Sequence, residues 1–98
     1  MKLKSVTAKK GHKVLVKWKK SASASGYQLA YCTKPDGRDI QVIPVEDARA
    51  VKKVIKNLKK GNRYYFMIRS TKILFDPDQK IEQLFYGKWS ETLSVKVR

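Results

Sequence analysis

A chain of 98 residues, 42% hydrophobic and 32% charged, is long enough for one hydrophobic core and too apolar to remain disordered. Its 23 Lys and Arg against 8 Asp and Glu leave a net charge of +15, which favours anionic partners without choosing among them. The single cysteine excludes an internal disulfide, and uncharged apolar runs such as Tyr64 to Ile68 fall far short of the roughly 20 residues that cross a bilayer.

Met1-Lys2-Leu3-Lys4 leads into alternating charge and not into an apolar stretch, so this part of the chain carries no secretory signal. Beyond it the organising period is two. Val14, Val16 and Trp18 alternate with Leu15, Lys17 and Lys19, as do Tyr27, Leu29 and Tyr31, then Tyr64, Phe66, Ile68 and Ser70, and finally Leu93, Val95 and Val97 with their own neighbours. Turn signals separate these runs at Lys10-Gly11-His12, Ser23-Ala24-Ser25-Gly26, Pro35-Asp36-Gly37 and Lys59-Lys60-Gly61-Asn62. Seven strands are predicted, at 3–8, 13–19, 26–33, 38–44, 50–56, 62–72 and 88–97, which is the arithmetic of a single sandwich domain over residues 1–98. Val51, Val54, Ile55 and Leu58 also sit at helical spacing, but the β-branched run and Gly61 suit a strand entering a corner. The stretch from Ile73 to Tyr86 is longer and more apolar than a tight turn needs. It is able to prolong two strands as a ribbon around Asp76–Lys80.

Trp18, the run Gly26-Tyr27-Gln28-Leu29-Ala30-Tyr31, the run Leu58-Lys59-Lys60-Gly61-Asn62-Arg63-Tyr64 and the run Tyr86-Gly87-Lys88-Trp89-Ser90 together resemble the fibronectin type III family. The similarity is nearest to the lysine-rich copies in surface and secreted proteins of Firmicutes and spans nearly the whole chain. It implies an all-β, seven-stranded immunoglobulin-like sandwich, found outside the cytoplasm, secreted or on the cell surface. The core expected from it comprises Trp18, Tyr27, Leu29, Tyr31, Leu58, Gly61, Tyr64, Phe66 and Ile68, with Trp18 and Tyr31 as the central aromatics of the two sheets. Leu58, Gly61 and Tyr64 look like a tyrosine corner, although Lys60 stands where many animal members carry proline.

For a partner-binding surface, Leu74, Phe75, Ile81, Leu84 and Phe85 stand out; they either face a ligand or fold down to cap the core or a neighbouring domain. Arg69 and Trp89 are placed to stack as a cation–π pair. Gly37-Arg38-Asp39 runs in the wrong order for an integrin tripeptide. Asp36, Asp39, Asp76 and Asp78 are too scattered for a calcium cage. His12 has no nucleophile or carboxylate at local spacing, and Cys32 is expected to point outward, with Tyr31 turned inside.

No catalytic residue, cofactor or metal is therefore expected. The reading is a spacer, adhesion or protein-interaction module of a larger bacterial protein. Its expected partners are other domains of the parent chain, an anionic cell-wall polymer, a glycan or a protein ligand. A carbohydrate-associated accessory module of a glycoside hydrolase, with Tyr65, Tyr86 and Trp89 stacking on sugars, is one rival. A basic nucleic-acid-binding domain is the other and is disfavoured, because the lysines touch nearly every strand.

Overall fold

Alternation along the second strand decides the layers: Val14, Val16 and Trp18 need a dry side, and the residues between them take the wet one. The computed structural model describes residues 1–98 and builds two antiparallel sheets on that rule, with eight strands and no helix. One sheet has the order β1 (Leu3–Lys9), β2 (Lys13–Trp18), β5 (Lys52–Ile55). The other runs β4 (Gln41–Val45), β3 (Gly26–Cys32), β6 (Arg63–Asp76), β7 (Ile81–Tyr86), with β8 (Leu93–Lys96) also on β6.

Between the sheets lie Val14, Val16 and Trp18 from β2, Ile55 from β5, Tyr27 and Leu29 from β3, and Tyr64, Phe66 and Ile68 from β6, closed by Leu58 and Val97. Trp18 is 1% exposed, and its ring meets Tyr27 at 5.6 Å between centroids. The central aromatic partner is thus Tyr27 and not Tyr31. Both belong to the same face of β3, but Tyr31 stands four residues farther along, half-buried beside Tyr64 and Phe66 at 6.3 and 6.1 Å. Tyr27 also ties two loops together: its hydroxyl accepts from the Ser21 N–H at 2.9 Å and donates to the Ala48 carbonyl at 3.0 Å. The Trp18 Nε1 finds no acceptor in the protein, so packing alone holds the indole.

Two tight features position the strands. A Cβ on Gly26 would lie 2.7 Å from the Val45 carbonyl oxygen, so only glycine lets β3 start this close to β4. At the corner before β6, Gly61 takes φ +86°, and the Tyr64 hydroxyl accepts from the Lys59 N–H at 2.9 Å.

Three strands differ at an end by three residues or more from those expected. The strand predicted at 38–44 begins only at Gln41, because Asp36 and Asp39 spend their carboxylates on Arg38 and Thr33 in the preceding loop. That at 62–72 runs on to Asp76 as a 14-residue strand. The last, expected at 88–97, shrinks to Leu93–Lys96, and a separate β7 pairs with the far half of β6. At roughly 3.3 Å per residue, β6 spans about 46 Å. That is most of the 52 Å length of the molecule.

Replacing Tyr64 by Phe leaves the Lys59 N–H without its acceptor, so urea unfolding is expected to show a loss of about 1–3 kcal/mol. An unchanged midpoint would mean that the hydroxyl does nothing for the corner.

Candidate functional site

β6 leaves the core at Ile68, but Arg69 to Phe75 remain strand-forming, with Thr71 and Ile73 β-branched. The reversal comes at Asp76-Pro77-Asp78-Gln79-Lys80. Asp76 Oδ1 accepts from the Asp78 N–H at 2.9 Å, and the Lys80 N–H donates to the Asp76 carbonyl at 2.8 Å, with Lys80 itself at φ 57°. The chain then returns as β7, in register from Asp76 opposite Ile81 to Thr71 opposite Tyr86.

Register sorts the ribbon's side chains. Ile73, Phe75 and Leu84 share one face, and Leu74, Ile81 and Phe85 the other. All six are exposed, between 45% and 62%, with Phe75 the most open, so none of them caps the core. The ribbon is apolar on both faces. Ile73 and Leu84 also border a groove of about 430 Å³ against Gln28, Pro44 and Val45.

At the ribbon's root the Arg69 guanidinium lies over two rings, 4.1 Å from the Tyr86 centroid and 4.2 Å from that of Trp89, while its Nε donates to Gln28 Oε1 at 2.8 Å. Trp89 is therefore in the place foreseen for it, with Tyr86 as a third member. The two aromatics are both engaged with one cation. Beside them, Ser90 bridges the gap between β7 and β8. Its N–H donates to the Ile68 carbonyl at 2.8 Å, and its hydroxyl oxygen accepts from the Ile68 N–H at 2.9 Å. One residue thus performs both backbone bonds of a missing strand position. Its only sequence signal is a small hydroxyl residue next to Trp89, which alternation does not single out.

Cys32 corrects an expectation. It belongs to the outer face of β3, yet it is only 4% exposed, because a small side chain there sinks between its neighbours; its thiol donates to the Lys34 carbonyl at 3.2 Å. Burial pushes that thiol's pKa up, so it stays protonated at neutral pH. Nearby, the side-chain hydrogen bond from Thr33 holds the Asp39 carboxyl below its usual range, and the Thr33 N–H adds to this at 3.1 Å. No three His, Cys, Asp or Glu side chains come together anywhere, and His12 sits in a turn at φ 59°.

No family model and no curated protein matches the sequence. The likeness is in the backbone. A structure described as an Fn3-like protein from Clostridium thermocellum superposes with a TM-score of 0.67 at 15% identity, over 98% of this chain and 88% of that one. The FN1–FN3 domains of chicken CNTN1 superpose with a TM-score of 0.73 at 21% identity, over 100% of this chain and 32% of that one. The fold is that of fibronectin type III. At these identities the likeness carries the type III architecture and nothing about ligands.

Substituting Ser90 by Ala removes the acceptor of the buried Ile68 N–H; chemical denaturation is expected to register about 1–3 kcal/mol of lost stability. For Asp39 the folded pKa is depressed, so its stabilising contribution is present above the unfolded value of about 3.9 and disappears as pH falls through the folded one. Melting curves of the wild type and Asp39→Asn should accordingly differ at pH 7 and converge on acidification below about pH 4. A gap that persists in acid would place the Asp39 contribution in packing instead.

Proposed function

We infer that this type III domain is a non-catalytic interaction module of a larger secreted or cell-surface bacterial protein, and that it makes contact through the β6–β7 ribbon. The supporting observation is the two-sided apolar ribbon. Six large apolar side chains stand exposed together beyond the core, and none belongs to the buried cluster of the sandwich. Contiguous apolar surface of this kind marks a place that another protein covers. The occupant is a neighbouring domain of the parent chain or a protein ligand, since both faces need apolar contact and the tip, with Asp76, Asp78, Gln79 and Lys80, is mostly polar.

The accessory-module reading loses support, because Tyr86 and Trp89 are engaged with Arg69 and Tyr65 is partly covered on β6. Binding at the ribbon implies a separation of stability from contact. Phe75→Ser with Leu84→Ser should leave unfolding within about 0.5 kcal/mol of wild type, as for other exposed positions. A photocrosslinker placed at Phe75 or Leu84 in the parent protein on cells should capture a discrete protein product, with one at Lys34 silent. Equal yields from the ribbon and from Lys34 would end this reading.

A further inference from the structure

The positive charge is sorted, and the acids do the sorting. The first acidic residue of the chain is Asp36, and none falls between Asp47 and Asp76. In consequence β1, β2 and β5, of seven, six and four residues, contain no Asp or Glu, yet hold Lys4, Lys9, Lys13, Lys17, Lys52 and Lys53. An entire sheet of the sandwich is without negative charge.

Register brings that excess into contact. Lys9 stands directly opposite Lys13, and Lys17 directly opposite Lys52. Both pairs lie on the sheet's outer face, since Val14, Val16, Trp18 and Ile55 take the inner one. Like charges directly opposed across an antiparallel pair are destabilising. Nothing local offsets this: the two ion pairs of the chain, Arg38 with Asp36 and Arg49 with Asp47, are both in loops. At the bulge between Leu3 and Ser5, Lys4 joins Lys17 and Lys52 around a recess of about 260 Å³ that Trp18 and Val51 also border. Along β2, Lys13 follows about 13 Å from Lys17 at roughly 3.3 Å per residue. The result is a basic strip one strand long with a recess at one end.

We propose that this outer face of β1, β2 and β5 binds a flexible linear polyanion of phosphodiester-linked polyols, with Lys4, Lys17 and Lys52 holding it at the recess and Lys9 and Lys13 at the far end. Nothing in this depends on the ribbon, which belongs to the other sheet. Lysine binds phosphate as a compact point charge, whereas planar carboxylates select the arginine fork, and β1, β2 and β5 contain no arginine. The remaining residues of the face, Ser5, Thr7, Leu15 and Val54, offer no aromatic platform for stacked bases. They also supply too little apolar surface to enter a bilayer.

The test is calorimetric titration of the intact domain with poly(glycerol phosphate) across a salt series. Wild type should bind at physiological salt. The variant Lys4→Gln/Lys17→Gln/Lys52→Gln should lose about tenfold in affinity, with a log–log salt slope shallower by about 2, taking roughly 0.7 per lysine for a flexible strand. Lys9→Gln/Lys13→Gln, at the other end of the strip, should lose a smaller part. An equal-charge control, Lys34→Gln/Lys80→Gln/Lys88→Gln, should change affinity by less than about threefold. Because the first variant relieves a like-charge pair, it should also melt at a higher temperature than wild type. Equal losses in the recess and control variants would reduce the effect to net charge and overturn the proposal. So would tighter binding of an oligo(dT) with the same number of phosphates, or of phosphatidylglycerol vesicles.

Discussion

β6 is the element on which the rest of the molecule depends, because one edge of it must be hydrogen-bonded over 14 residues by two different strands. Backbone N–H and C=O groups cannot be left without partners next to a core. From Arg63 to Phe66 that edge is taken by β8, and from Thr71 to Asp76 by β7. Ile68, between them, would be orphaned. Ser90 closes the seam with its own N–H and hydroxyl, so the sandwich and the ribbon become one continuous sheet. The Arg69 clamp of Tyr86 and Trp89 sits at the same seam and adds about 0.5–1 kcal/mol per exposed cation–π contact. Ser25 supports the opposite edge, its N–H donating to the Thr71 carbonyl at 2.8 Å and its hydroxyl accepting from the Ile73 N–H at 2.9 Å, so the root of the hairpin is held on both sides.

The two-layer core was readable from alternation because each strand has a single dry face, and Val14, Val16 and Trp18 mark it without ambiguity. The corner was readable because Gly61 and Tyr64 have local geometric duties. What alternation cannot supply is height along a strand. Tyr27 and Tyr31 share one face of β3, and only the crossing of the sheets decides that Tyr27 meets Trp18. It is equally silent on what lies over an outward residue, which is why Cys32, correctly assigned to the outer face, is nonetheless buried. The split last strand escaped for a third reason: a serine that replaces a strand position leaves no period to detect.

Charge shows the same limit from the other side. The lysines are spread through every part of the sequence, and counted alone they suggest a uniform solvated surface. The informative pattern is where acids are missing, and its meaning depends on register. Only the pairing of β2 with β5 sets Lys17 beside Lys52, residues far apart in the chain. A sheet free of acids is a three-dimensional fact assembled from two acid-free stretches.

The ribbon and the charge also bear on each other. An exposed hairpin with apolar faces and an unpaired β7 edge is an invitation to self-association, since a second copy presents the same edge and the same side chains. Sheet edges are commonly blunted by placing charge on the strand itself, but here β7 carries only Glu82, and β6 beyond the core only Lys72 and Asp76 apart from Arg69, which is held over Tyr86 and Trp89. Protection has to come from farther away. Each copy carries +15, and self-repulsion between bodies of that charge opposes the close approach that edge pairing requires. At physiological salt the screening length is about 8 Å, so the repulsion acts when two bodies come nearly into contact and not before. Repulsion of that range leaves the ribbon free for a partner of different charge while discouraging its own kind, which a local gatekeeper on the strand would not do.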